Sequence, residues 1–100
     1  MLPEQTYGFE AELWRSGDGK AAWTFLTVPR EISQQIRFLA GKTNGFGSVP
    51  VRARIGDKGW KTSLFPDKAS GCYFLPVKAA VRKAEAISAG DSVSIEIRIG

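Results

Sequence analysis

Hydrophobic and polar residues alternate along most of this chain. Between Tyr7 and Trp14, Phe9, Ala11 and Leu13 fall on one face and Glu10 and Glu12 on the other. That period of two predicts a half-buried strand. Ser16-Gly17-Asp18-Gly19 is turn chemistry, since glycine takes positive φ without steric cost. Residues 22–28 are apolar, aromatic and β-branched, which predicts a second, rather fully buried strand. Val28-Pro29 ends it, because proline has no N–H to give a ladder.

The period then lengthens. Pro29 suits the first turn of a helix. Ile32, Ile36 and Leu39, with Phe38 beside them, recur at helical spacing, while Gln34, Gln35 and Arg37 take the other side. Gly41 is the expected stop, and a loop spans residues 42–47. Alternation returns with Val49, Val51, Ala53 and Ile55 inward and Pro50, Arg52 and Arg54 outward. Pro50 marks an edge or a strand start. Gly56-Asp57-Lys58-Gly59 reads as a tight hairpin connection. Trp60, Thr62 and Leu64 then alternate with Lys61 and Ser63.

A polar loop over residues 65–71, opened by Pro66, leads to a buried strand from Cys72 to Leu75 that Pro76 ends. Residues 77–86 read as a short helix, with Val77, Ala80, Val81 and Ala84 on one face and Lys78, Arg82, Lys83 and Glu85 outward. Gly90-Asp91 turns the chain into a last strand, where Val93, Ile95, Ile97 and Ile99 alternate with Ser94, Glu96 and Arg98.

The second half restates the first. Residues 48–56, SVPVRARIG, align with residues 92–100, SVSIEIRIG. Phe25-Leu26-Thr27-Val28-Pro29 matches Phe74-Leu75-Pro76-Val77 in kind. Residues 9–14 match residues 60–65: an aromatic, three residues, leucine, an aromatic. Chance likeness between strands is the plainer account, but three segments in the same order favour duplication, with half-repeats at about 6–56 and 58–100. Each half supplies three strands and one helix, and neither buries its apolar face alone. The expectation is one mainly β domain over residues 1–100: a closed, six-stranded, double-split type barrel, mainly antiparallel, with pseudo-two-fold symmetry. Its two short helices are expected to cap the barrel ends and to cover Trp14 and Phe65. Closure leaves few open edges.

Composition narrows the chemistry. One hundred residues with 43% hydrophobic content make one core without staples. The single cysteine, Cys72, cannot form an internal disulfide. The absence of histidine removes histidine metal sites, Ser-His-Asp triads and Cys-His dyads together. No cofactor or metal is expected. The first residues have neither a basic nor an apolar signal region, and no run approaches a membrane span, so the expected location is cytoplasmic. A net charge of +4 favours anionic partners mildly. A closed, internally duplicated barrel needs no second chain, so a monomer or weak homo-oligomer is expected.

Two resemblances follow from named residues. Leu75-Pro76, Arg82, Ile87, Gly90-Asp91 and Val93-x-Ile95 are similar to the swapped-hairpin unit of AbrB-type transition-state regulators and related antitoxins. There two chains build one DNA-binding barrel. The first half departs from that pattern, because no Gly-Asp precedes Val49. The whole chain more closely resembles domain-of-unknown-function family 1905. That resemblance runs from about Phe9 to Ile97 and rests on Trp23-Thr24-Phe25, Val28-Pro29, Thr62-Ser63-Leu64-Phe65-Pro66, Gly71-x-Tyr73-x-Leu75-Pro76-Val77, Val81-Arg82-Lys83 and Gly90-Asp91-x-Val93. It implies a small double-split-type barrel and no established activity. Some relatives carry a further C-terminal segment linked by name to bacteriocin protection.

Three candidate sites emerge. Arg52, Arg54, Lys58 and Lys61 lie on two strands joined by a tight turn and would make a basic ribbon suited to phosphates. Lys78, Arg82 and Lys83 form a second basic group. The plainer account is a solvated face, countered by Glu10, Glu12, Glu85 and Glu96, and no base-stacking pattern stands out along the sequence. Ser63, Asp67, Lys68 and Ser70 near Cys72 would allow a nucleophile with a lysine base, but these residues also fill any exposed turn. Cys72 reads as an inert core thiol. Phe46, between Gly45 and Gly47, would cover a pocket or plug a barrel end. The expected function is a non-enzymatic binding module; nucleic-acid binding through Arg52, Arg54 and Lys61 comes second, and a small-molecule or enzymatic site at the 63–72 loop third.

Overall fold

The first strand bends at a single residue. The computed structural model describes residues 5–17, 19, 22–40 and 47–99. In it, β1 (Gln5–Glu12) and β2 (Trp14–Ser16) are separated by Leu13 alone. Their side chains alternate as expected until Leu13 turns inward and is buried. The Leu13 N–H donates to the Asp91 carbonyl at 2.9 Å, and its carbonyl accepts from the Gly90 N–H at 2.8 Å. The Gly90-Asp91 turn therefore satisfies both backbone groups that the bend takes out of the ladder. Gly90 holds φ at 97°, which a side chain would resist.

The remaining elements are β3 (Trp23–Thr27), α1 (Arg30–Ala40), β4 (Val49–Ile55), β5 (Lys58–Pro66), β6 (Tyr73–Pro76), α2 (Ala79–Glu85) and β7 (Ser92–Ile99). All seven strands join one curled sheet in the order β1-β7-β4-β5-β6-β3-β2. β1 pairs with β7 from Gln5↔Ile99 to Glu12↔Ser92. β2 pairs with β3, with Trp14 opposite Phe25. The architecture is mainly β with two helices, as expected. The strand count is seven rather than six, because the Leu13 bend divides the first expected strand.

One face of the sheet holds the core. Val51, Ala53, Leu64, Leu75, Ile95 and Ile97 are all buried, joined by Leu26 from β3. The helices contribute Ile36 from α1 and Val81 from α2. Strand β4 alternates without exception, its four apolar residues buried and Pro50, Arg52 and Arg54 exposed. Pro50 lies opposite Ser63, beyond the three residues through which β4 pairs with β7, so its missing N–H costs no ladder bond.

The β4–β5 hairpin turns on Gly56 and Asp57, since Ile55 pairs with Lys58. Gly56 has φ 57° and Asp57 has negative φ, which fits a II′ turn with glycine first. Helix α2 ends in a Schellman motif: Ile87 N–H donates to Arg82 carbonyl at 3.0 Å and Ala86 N–H to Lys83 carbonyl at 3.3 Å. The left-handed position, φ 54°, is filled by Ala86 rather than by glycine.

Several packing expectations are corrected. The helix faces are narrower than the periodicity implied. Ile36 is fully buried and Ile32 half-buried, but Leu39 and Phe38 are 37% and 87% exposed. On α2, Val81 is buried while Ala80 and Ala84 are exposed. Strand β3 is not fully buried; Thr24 and Leu26 point inward and Trp23 outward. The helices leave Trp14 half-buried and Phe65 46% exposed instead of covering them. The reason is geometric. Both residues are on the outer side of the sheet, and both helices pack on the inner side. No helix among the described residues is long and apolar enough to cross a membrane.

Candidate ligand-binding face

The outer side of the sheet divides into three zones. β1 carries Glu10 and Glu12 outward. The middle strands carry cations. In the antiparallel registers, Arg52 lies directly opposite Arg98 on β7 and directly opposite Lys61 on β5. Three cationic residues thus form one row across three adjacent strands. The next row is Glu96, Arg54 and Gly59. Glu96 accepts ion pairs from Arg54 at 3.5 Å and from Arg98 at 3.9 Å. Among the described residues, Arg52 and Lys61 have no carboxylate within ion-pair distance. A cleft of about 380 Å³ runs along this surface, lined by Arg52, Arg54, Trp60, Lys61, Glu96 and Arg98 among others.

Directly opposed like charges destabilise a sheet by tenths of a kcal/mol to about 1 kcal/mol per pair. Here Arg52 faces two such neighbours. The alternating pattern of β4 fixes the outward direction of Arg52 and Arg54, since the intervening residues must be buried. The sequence left open whether Arg52, Arg54 and Lys61 share a face; the β4–β5 register sets Lys61 opposite Arg52, with both residues exposed. The sequence did not bring in Arg98, which only strand pairing places beside Arg52. Lys58 stands outside the row, opposite Ile55 at the hairpin end and in phase with inward Trp60.

The third zone is aromatic, and the pattern of the sequence did not predict it. Trp14, Phe25 and Phe74 form a cluster, with ring centroids 5.0 Å apart for Trp14–Phe25 and 4.9 Å for Trp14–Phe74. Trp23 stacks against Phe25 at 6.3 Å with an interplanar angle of 20°. The Trp14 indole N–H donates to Thr27 Oγ1 at 2.9 Å, which fixes that ring. Phe65 pairs directly with Phe74 across β5 and β6. A shallow cleft of about 320 Å³ is lined by Trp23, Phe25, Phe65, Phe74 and Pro76. Trp23 is 63% exposed. The cue lay in the sequence: Trp14, Phe25, Phe65 and Phe74 each occupy the outward phase of their strands. Only the pairing order β5-β6-β3-β2 gathers them.

Among the other candidates, Asp67, Ser70 and Arg82 make hydrogen bonds within the fold. Asp67 Oδ2 accepts from the Ser70 N–H at 3.1 Å and from Ser70 Oγ at 2.7 Å, closing a turn. Asp67 N–H donates to the Cys72 carbonyl at 2.9 Å. Arg37 spans from α1 to donate to the Gly71 carbonyl at 3.0 Å, with its guanidinium 5.4 Å above the Tyr73 ring. The loop's polar groups thus satisfy one another. Lys68 is exposed, and Ser63 sits on β5 opposite Pro50. Cys72 is free and buried. Arg82 Nε donates to the Val77 carbonyl at 3.2 Å, bracing the start of α2. Phe46 lies outside the described residues. No group of three or more acidic or cysteine ligands suited to a metal occurs among the described residues.

Residues 9–97 match the family described as Domain of unknown function (DUF1905). The chain belongs to the DUF1905 family. The match includes Arg52, Lys61 and all the rings of the aromatic zone of this DUF1905 domain, and stops one residue short of Arg98. No curated protein matches the chain.

Proposed function

We propose that this DUF1905 domain is a non-enzymatic binding module that takes a phosphate-bearing polyanion on the row Arg98, Arg52 and Lys61. One observation carries the reading: three cationic residues oppose one another in register on β7, β4 and β5. The arrangement works against folding and favours an anion that bridges it. The apolar core speaks against a buried catalytic pocket, and the closed hydrogen-bonding circle of the 67–72 loop speaks against a reactive centre there.

In the same reading the bent β1–β2 segment closes the sheet into a six-stranded barrel of the double-split type. β1 stands at one end of the strand order and β2 at the other. Duplication of residues 6–56 and 58–100 is supported by the pairing itself. The β4–β7 register centres on Ala53↔Ile97, and the β3–β6 register on Leu26↔Leu75. Both pairs are equivalent positions of the two aligned halves. The likeness to AbrB-type barrels belongs to this proposal and points to the same class of ligand.

The test is binding of a labelled nucleic-acid duplex and of inorganic polyphosphate across a salt series. The expected result is affinity that falls steeply with salt, with Arg52→Ala weakening both ligands and reducing the logarithmic salt slope by about 1. Absence of binding to either ligand at low salt rejects the basic row as a ligand site.

A further inference from the structure

The aromatic zone and the basic row are one continuous surface, and that continuity identifies the ligand more closely. A third cleft, of about 160 Å³, lies between them, lined by Trp23, Trp60, Lys61, Pro76 and Lys78 among others. It shares Trp23 and Pro76 with the aromatic cleft, and Trp60 and Lys61 with the basic one. The cause is the divergence of β5 and β6. They pair only through Phe65↔Phe74 and Pro66↔Tyr73, after which β5 continues with β4 and β6 with β3. On β5 itself, Lys61, Ser63 and Phe65 follow one another in the outward phase. At about 3.3 Å per residue, Lys61 and Phe65 are roughly 13 Å apart along the strand.

Resting on the basic-row reading above, we propose that this surface is a track for single-stranded nucleic acid. Its phosphates lie along Arg52, Lys61 and Lys78, and its bases stack on Trp23 and Phe65. Two features choose this ligand over a duplex or a simple polyanion. A duplex keeps its bases stacked inside and has no use for exposed rings beside the cations. A polyphosphate has no aromatic face to place on them. Single strands use both together, because every base offers a π-face and every linkage a charge. The inner rings are already engaged. Phe25 and Trp14 pack against each other and against Phe74, whereas Trp23, although stacked on Phe25, and Phe65 stay largely exposed and form the edge of the shelf.

Charge complementarity sets the direction of the track. Glu10 and Glu12 on β1 repel phosphate at the far margin of the sheet, beyond β7. The strand is thereby confined to the side on which Lys61 and the rings lie.

The test is fluorescence anisotropy with a labelled single strand of about 12 nucleotides, a length within the span of small single-strand modules. DNA and RNA strands and a duplex of the same length are measured side by side. Trp23→Ala and Phe65→Ser replace exposed side chains, and circular dichroism checks that each variant folds. The expected result is tighter binding of single strand than of duplex. Trp23→Ala should weaken single-strand binding about tenfold, the loss of one base stack, and leave duplex and polyphosphate binding and the salt slope unchanged. Equal affinity for single strand and duplex, unmoved by Trp23→Ala, overturns the track while leaving the basic row intact. The track is likewise overturned if Arg52→Ala abolishes binding while Trp23→Ala binds single strand as tightly as wild type. If sedimentation shows a dimer that Trp23→Ala dissociates, with single-strand affinity unchanged, the shelf is an interface between two copies and the track is overturned.

Discussion

Ser33 Oγ accepts a hydrogen bond from the Tyr73 N–H at 3.0 Å and donates one to the Val28 carbonyl at 3.0 Å. Ser33 is fully buried on the inner face of α1. Its hydroxyl joins β3, α1 and β6 at the point where the β3–β6 ladder runs out, next to the bond from Val28 N–H to the Tyr73 carbonyl at 2.9 Å. Among the described residues no buried side-chain nitrogen or oxygen is left without a partner.

Ser33→Ala removes one oxygen and orphans the Tyr73 N–H and the Val28 carbonyl together. The expected cost is about 1–3 kcal/mol, read as a lower urea midpoint at unchanged slope. For a domain of this size each kcal/mol lowers Tm by roughly 4–8 °C. A change below about 0.5 kcal/mol, the range of ordinary surface substitutions, would mean that water replaces the hydroxyl.

The row of cations makes the opposite prediction for Arg52. Arg52→Thr removes a charge opposed on both sides and keeps a good strand former. Stability in low salt is expected to rise by about 0.2–1 kcal/mol. In about 1 M salt, where screening acts over roughly 3 Å, the gain should vanish. Calorimetry at both salt levels measures it. A variant less stable than wild type at low salt would show that the like-charge opposition costs the sheet nothing.

Two alanines near the end of α2 should respond to glycine with opposite signs. Ala86 holds a left-handed conformation, so Ala86→Gly is expected to stabilise by about 1 kcal/mol. Ala84 lies inside the helix and is exposed, so Ala84→Gly should cost about 1 kcal/mol. Thermal melts of the two variants settle the pair, and a loss of stability in both would remove the Schellman reading of this terminus.

These positions also mark how far the sequence could be read. Strand β4 was legible residue by residue, because one side is buried and the pattern VPVRARI repeats every two residues. The outward turn of Arg52 and Arg54 follows from that alone. The full row was not legible: the tight hairpin suggested Lys61 as a neighbour of Arg52, but Arg98 is fixed by pairing between residues far apart in the chain. The aromatic shelf was hidden for a related reason. Large apolar side chains belong by default in the interior, and Trp23 lies in a mostly apolar and β-branched stretch, residues 22–28, that conceals its phase. Ser33 gave no signal either: a serine on a helix reads as surface until its partners on β3 and β6 are known.

The pairing of Gln5 with Ile99 has a consequence for synthesis. Strand β1 pairs along its whole length with β7, so the first strand made must wait for the last one to leave the ribosome. At roughly 5–20 residues per second that delay is on the order of 5–20 s. Throughout it Tyr7, Phe9 and Ala11 have no native ladder to join.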